Sequence, residues 1–516
     1  MGSQSFGNHF KFILLSFVVI FVVLLACARS ASPAVAPWNV SGNPTSVLVP
    51  TVAESTPNPF VQKSRAPGEP ILSPTPDSPR TLPTMRVEPE QYIVKAGDTL
   101  GQISQRYSVG LESLVDENNL ANPNLLDIGQ VLTIPPPTPG PPGSGLKLIP
   151  DSELVYSPSN MDFDVAAFIN SQAGYLSSYG EEVENDYLTG SQIIERIAYE
   201  YSVNPRILLA ALEYQSGWVS RSSPDEGTLD YPMRVQEVFR KGLYRQLAWT
   251  ANFLNRGFYL WRVNGVGAWI TASGDMIPIN PAINAGTAGV QHLFSLLYDR
   301  SGWEKAVSEN GIFAIYDNFF GYPFDYAYEP LIPANLSQPA FQLPFESGKE
   351  WSYTGGPHGG WGSGSAWAAI DFAPPGQALG CVQSDEWIVA IADGLIVRAA
   401  NGAVVQDLDG DGHEQTGWTI LYMHIESRDR VQPGVHVKAG DRIGHPSCEG
   451  GVSTGTHVHL ARRYNGEWIS ADQTLPFVLD GWVSRGLGSE YDGYLVREGH
   501  TVEALEGRYP ANAIQR

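Results

Sequence analysis

The sequence predicts a multidomain α+β chain: a small βααβ module, a mainly α-helical central domain and an antiparallel β domain. Three observations lead there. Proline-rich tracts bracket one short segment, residues 28–90 alone carrying 13 of the 39 prolines. From about 148 to 338, apolar residues recur at helical spacing behind capping signals. Past Leu343 the pattern becomes short apolar runs separated by glycine-rich turns, as in an antiparallel sheet. At 516 residues several domains are expected, and a hydrophobic fraction of 43% is ample for packed cores. The net charge of −22 argues against nucleic acid as a partner.

Residues 1–27 read as an export segment. The apolar run Phe12 to Ala26 follows a single basic residue, Lys11, and is shorter than the ~20 residues of a membrane-spanning helix. It ends Leu24-Leu25-Ala26-Cys27, which resembles a bacterial lipobox with Cys27 as the lipidated residue; a plain signal peptide and an uncleaved anchor are the alternatives. The expectation is an exported protein of the cell envelope, secreted or held on the membrane through its N-terminus. Of three cysteines, setting Cys27 aside leaves Cys381 and Cys448, so a disulfide between these two is expected. Residues 28–90, rich in Pro, Ser and Thr, cannot bury a core and read as a linker.

Residues 91–135 form the small module. Tyr92-Ile93-Val94 is a strand, Gly97-Asp98 turns the chain, and Thr99 with Gln102 makes a capping box. Leu100, Ile103 and Tyr107 mark one helix face; a second helix near Leu111 to Glu117 leads to the strand Val131 to Ile134. The pattern YIVKAGDTLGQIS…NNLANPNLLDIGQVLTIP resembles a LysM domain. That resemblance implies binding of N-acetylglucosamine-containing glycans between two loops. Gly97, Asp98, Thr99 and Leu100 would contribute from one, and Asn124, Leu125 and Asp127 from the other.

A second proline-rich linker, 136–147, precedes the helical domain, 148–338. Thr189 and Gln192 form a capping box before Ile193, Ile194 and Ile197; Asn204-Pro205 opens the next helix. The stretch NPRILLAALEYQSGW resembles the helix of lysozyme-like lytic transglycosylases that ends in a catalytic Glu-Ser-Gly. Gln215 stands where that acid belongs, and Glu213 is turned about 200° away around the helix. A non-catalytic helical domain, lysozyme-like or unrelated, is expected.

The β domain, 339–480, holds the chemistry. Seven of the ten histidines fall between His358 and His459. In Thr456-His457-Val458-His459-Leu460 two imidazoles share one strand face, because side chains alternate with period two. Upstream lie Gly355-Gly356-Pro357-His358, Ala369-Ile370-Asp371-Phe372 and Tyr422-Met423-His424. Two imidazoles and a carboxylate make a three-ligand zinc site with an open fourth position, the catalytic pattern. Spacing alone allows either or both residues of the HxH pair as ligands.

The motifs GPH…AIDF, YMH and GTHVHL resemble those of lysostaphin/LytM-type zinc endopeptidases of bacterial cell walls. The long His–Asp spacing resembles the beta-lytic and LasA-like branch, since Trp367 occupies the place of the HxxxD histidine. The resemblance implies a duplicated-hybrid-motif-like fold, zinc ligands His358, Asp371 and His459, and catalytic His424 and His457. It further implies peptidoglycan as substrate, cut at its peptide cross-links. Apart from the resemblance, Tyr353 is a candidate for an additional donor. Two other readings are a non-catalytic wall-binding or activator protein, against which all five site residues argue, and a glycan-cleaving enzyme, against which Gln215 argues. Asp407, Asp409 and Asp411 resemble half of a calcium loop, but position twelve is Trp418, so an acidic hairpin tip is equally expected. The C-terminal extension, 481–516, carries no assigned chemistry.

Overall fold

The computed structural model describes residues 80–83, 86–95, 97–138, 140–376 and 378–516. The export segment with Cys27 and most of the first linker lie outside the described residues. Among the described residues no helix is long and apolar enough to cross a membrane.

The first module is the expected βααβ unit. Strand β1 (Glu90–Ile93) pairs antiparallel with β2 (Val131–Ile134), with Tyr92 opposite Leu132. Helix α1 (Leu100–Tyr107) starts with a complete Thr99/Gln102 capping box, and α2 (Leu111–Glu117) follows. Leu100, Ile103, Leu114, Leu132 and Ile134 form its own core.

The helical domain contains α3 (Val165–Gln172), the hairpin β3 (Gly180–Val183) and β4 (Asp186–Thr189), then α4 (Gly190–Tyr201) and α5 (Pro205–Ser216). The long helix α6 (Leu243–Arg262) leads to the hairpin β5 (Ala268–Ile270) and β6 (Met276–Pro278). Helices α7 (Ala285–Leu297), α8 (Arg300–Ala306) and α9 (Ile312–Phe320) complete it. Thr189 caps α4 through a capping box, and Asn204 caps α5 with Pro205 in its first turn. The second proline-rich linker is not a free spacer, because Gly143 donates to the Pro278 carbonyl and Gln291 donates to that of Ser144.

The β domain is built on a nine-stranded antiparallel sheet. Its strands, with the short ones that flank them, begin with β7 (Glu350–His358), β8 (Ala369–Ala373), β9 (Ile388–Val389), β10 (Gly394–Ala400) and β11 (Ala403–Asp407). Then come β12 (Trp418–Met423), β13 (His436–Val437), β14 (Arg442–Gly444), β15 (Val458–Tyr464) and β16 (Glu467–Trp468). The strands β17 (Val478–Leu479), β18 (Trp482–Gly486), β19 (Gly493–Arg497) and β20 (His500–Glu503) form a separate four-stranded sheet, and β21 (Ala513–Gln515) returns to the main one. The main order is β13-β10-β11-β12-β15-β8-β7-β21, with β16 beside β15.

Alternation on the central strands divides two cores. Ile370, Val404, Ile420 and Leu460 face the β-domain core with Phe345 and Trp351. Their neighbours Ala369, Ala403, Leu421 and Ala461 face the core of the helical domain. A sheet buried on both faces loses the clean apolar–polar alternation of a half-exposed one. The small alanines let the helical layer approach closely. Polar contacts tie the same junction: Ser202 Oγ donates to the Gly466 carbonyl at 2.7 Å, and Arg262 meets Glu467 at 2.8 Å.

Candidate metal centre

Register brings the site together. Strand β15 lies between β12 and β8, so His459 pairs with Met423 on one side and with Asp371 on the other. On the far side of β8, Gly355 is the partner of Asp371. That position needs glycine, since a Cβ there would meet Asp371 Oδ2 at 2.5 Å. His358 ends β7, two residues beyond Gly356.

Three groups converge. His358 Nε2 lies 2.9 Å from His459 Nδ1, and each of these nitrogens is 3.3 Å from Asp371 Oδ1. The edges of a tetrahedral site with ligands at 2.0–2.2 Å are about 3.3–3.6 Å. The other nitrogen of each ring is committed: His358 Nδ1 donates to the Gly356 carbonyl at 2.8 Å and His459 Nε2 to that of Gly360 at 3.0 Å. Those two bonds fix the tautomers, so the facing nitrogens present lone pairs to each other. Asp371 Oδ1 is buried and has no hydrogen-bond partner. Two opposed lone pairs and an orphaned carboxylate oxygen are costly in a buried place unless a cation sits between them. The donor set of two imidazoles and a carboxylate suits zinc.

Electrostatics follow from the same packing. Burial alone would raise the Asp371 carboxyl, but the adjacent His358 and His457 imidazoles hold it well below the usual carboxylate range. Burial opposes protonation of His358, and Asp371 outweighs it, so that ring is shifted up; burial shifts His459 down. His424 is pushed down to about 3 by burial and the neighbouring His457 and His459 charges, leaving it neutral.

His424 and His457 form the second pair, with ring centroids 4.5 Å apart. His424 follows the last residue of β12 with φ 66°, a left-handed conformation that costs roughly 1 kcal/mol for a residue with a side chain. Its carbonyl is gripped by the Ser447 amide at 2.7 Å and the Ser447 hydroxyl at 3.0 Å. His424 Nδ1 donates to the Glu449 carbonyl at 3.1 Å, and His457 Nδ1 to that of Gly455 at 2.7 Å. Each ring therefore keeps Nε2 free, and His457 Nε2 lies 3.8 Å from Asp371 Oδ2. The expected disulfide, Cys381–Cys448, joins the loops on either side of this pair.

Four of the seven clustered histidines thus meet, around Asp371. His445 instead packs on Trp387 and donates to the Glu386 carbonyl, His436 is exposed on edge strand β13, and His413 lies in the acidic hairpin. Tyr353, expected as a donor, is fully buried in the β-domain core against Phe372, because it faces away from the site. The tyrosine at the centre is Tyr491, whose ring stacks on His358 at 4.2 Å while 55% exposed. It comes from the extension to which no chemistry was assigned, where only a Gly/Ser/Asp turn around one aromatic marked it.

The other expected sites differ in outcome. Asp407, Asp409 and Asp411 cluster, but Asp407 accepts from the amides of Asp409, Gly410 and Gly412, and Asp411 from that of His413. These are the bonds of an acidic hairpin tip, and calcium finds no support in them. In the small module the Asp98 carboxylate is taken by Tyr92 and the Lys95 amide, Thr99 is the helix cap, and the Leu100 side chain is core. Gly97, Asn124, Leu125 and Asp127 remain exposed. In the helical domain Gln215 accepts from Tyr298, and Glu213 accepts from the amides of Val219 and Ser220.

Comparison with known proteins assigns the segments. Residues 92–135 match the LysM domain, residues 147–334 the LasA N-terminal domain, and residues 370–471 peptidase family M23. The helical segment, expected to be lysozyme-like or unrelated, thus matches the LasA N-terminal domain. Protease LasA of Pseudomonas aeruginosa is 27% identical over 306 residues, covering 54% of this chain and 67% of that protein. Beta-lytic metalloendopeptidase of Achromobacter lyticus is 29% identical over 159 residues, 29% of this chain and 39% of that protein. Among solved structures, the M23 metalloprotease pseudoalterin is 26% identical with a TM-score of 0.27, covering 33% of this chain and 96% of that one.

Proposed function

We propose that this chain, with its LysM, LasA-type N-terminal and M23 peptidase domains, is an exported zinc metalloendopeptidase that binds peptidoglycan and hydrolyses its peptide cross-links. The observation that carries the reading is the facing pair His358 Nε2 and His459 Nδ1 at 2.9 Å, with their other nitrogens tied to carbonyls. In this reading His358, Asp371 and His459 hold the metal. Bound zinc supplies Lewis acidity, acidifying water and polarising a scissile carbonyl.

The chain's own residues do the rest. Neutral His424, with Nδ1 held by Glu449, offers Nε2 to accept the proton of an attacking water. His457, held from the other side by Gly455, faces the oxygen on which negative charge develops and, when its Nε2 also carries a proton, donates to it. The exposed face of Tyr491 borders substrate and keeps the His358 ring from turning. Gly97, Asn124, Leu125 and Asp127 of the LysM domain hold N-acetylglucosamine-containing glycan, which raises the local concentration of cross-links at the metal. Export is supported by the Cys381–Cys448 bridge, which belongs to an oxidising compartment.

The test is digestion of purified peptidoglycan with the product muropeptides read by mass spectrometry. Peptide-bond cleavage should vanish with chelator and return with zinc. Anhydro-sugar products, or cleavage indifferent to chelation, contradict the reading.

A further inference from the structure

Two hollows meet where α1 of the LysM domain, α6 of the helical domain and the loops of the peptidase domain come together. Their volumes are about 540 and 600 Å³, and Arg106, Arg256, Leu260 and Ser363 line both, so they form one groove of ligand-binding size. At the closed end lies His292, 7% exposed and stacked on Trp269 at 5.0 Å. Neither of its ring nitrogens has a hydrogen-bond partner. Helix α6 packs closely against it, since a Cβ at Gly257 would meet His292 Cβ at 2.5 Å.

An imidazole buried with both nitrogens unmet is unfavourable, and packing on Trp269 needs no polar atom. Such a group calls for an explanation, and a ligand entering the hollow supplies one. Burial and then the charge of Arg256 push the ring down to about 3, so it is neutral, with one donor and one acceptor. That pair complements an amide. Arg256 is exposed into the groove, within electrostatic reach of Arg106 and Glu490, and has no hydrogen bond or ion pair among the described residues. Two guanidinium groups on one groove suit a carboxylate.

We propose that this groove is a second wall-binding site, separate from the LysM loops, for a carboxylate-bearing N-acylated ligand of the muramoyl-peptide class. Arg256 and Arg106 take the carboxylate and His292 the amide. The choice of ligand class rests on the peptidase reading. The open end supports it too, since Ser363, Trp367 and Glu490 line it. Ser363 lies in the loop whose Gly360 carbonyl holds His459, and Glu490 precedes Tyr491. A ligand seated there has its peptide end directed toward the metal centre.

The experiment titrates the full-length chain with N-acetylmuramoyl-L-alanyl-D-isoglutamine by calorimetry, in wild type, Arg256→Met and His292→Phe. The expected result is measurable binding in wild type and at least a tenfold rise in Kd in each variant. Chitotetraose, taken by the LysM loops, serves as the folding control. If His292→Phe misfolds, Arg256→Met carries the test, because it changes an exposed side chain. No binding by wild type, or equal binding by the folded variants, overturns the proposal. Failure of the peptidase reading is seen separately, as wild-type protein that binds the probe yet shows no zinc-dependent hydrolysis.

Discussion

His459 stands directly opposite Asp371 across the β15–β8 ladder, with Nδ1 3.3 Å from Oδ1. Strand register, not loop conformation, sets this pair. Asp371→Asn keeps the side chain's shape and removes its charge, so zinc affinity should fall by at least 10–100-fold, the loss seen for weaker perturbations of metal sites. Competition with a fluorescent zinc chelator measures it; unchanged affinity would remove Asp371 from the ligand set.

Tyr491 should matter through its ring. Aromatic contacts of this kind contribute about 0.5–1.5 kcal/mol. Tyr491→Ala should therefore weaken zinc binding about three- to tenfold, and Tyr491→Phe should retain it. Equal zinc affinity in all three proteins would show that the stacking on His358 is incidental.

The bridge between Cys381 and Cys448 closes a loop with a sequence separation of 67. Chain entropy then predicts about 4 kcal/mol of stability lost on replacing both cysteines by serine. Urea unfolding gives the number. Because Glu449, next to Cys448, holds His424, the same variant should also lose kcat. A stable, fully active double variant would argue against both statements.

Acid should destabilise the protein through His292. Its folded-state pKa is about 3, against about 6.5 in the unfolded chain, so below 6.5 the unfolded chain binds more protons. The stability tied to this residue is complete above pH 6.5 and falls as pH drops toward 3, by up to ~1.4 kcal/mol per unit. Urea midpoints at pH 7.5 and 4.5 should diverge less in His292→Phe than in wild type. Parallel losses would exclude His292 as a source.

Much of the site was legible because its residues sit in short motifs. The period of two in His457-Val458-His459, the pair at Asp371 and the strand ending in His424 all survive folding. Spacing left open which histidine of the pair meets His358; in the fold it is the His459 ring, held by the Gly360 carbonyl, while Gly455 holds His457, and both carbonyls belong to loops that the sequence leaves unplaced. Tyr491 was illegible because its contact with His358 spans the chain from β7 to the turn before β19. Strand β21 was hidden likewise, since it pairs with Trp351 of β7. Helix α6 escaped notice because Gly242 offers no side-chain cap, and buried Gln246, Thr250 and Asn255 interrupt its apolar face. Gln246 and Asn255 find their partners in backbone outside the helix, Gln246 donating to the Val235 carbonyl and Asn255 to that of Tyr201.

Lipidation at Cys27 is open to a direct experiment. Cys27→Ser should move the protein from the membrane fraction to the soluble one in a bacterial host. An unchanged membrane fraction would indicate an uncleaved anchor instead.

The central claim is that one histidine of the HxH pair holds metal and the other serves catalysis. Zinc content by mass spectrometry of purified His459→Ala and His457→Ala, each paired with wall hydrolysis, tests it most directly. The expected result is no stoichiometric zinc in His459→Ala, and one zinc with activity lost in His457→Ala. Stoichiometric zinc in His459→Ala, or full activity in His457→Ala, would contradict the assignment.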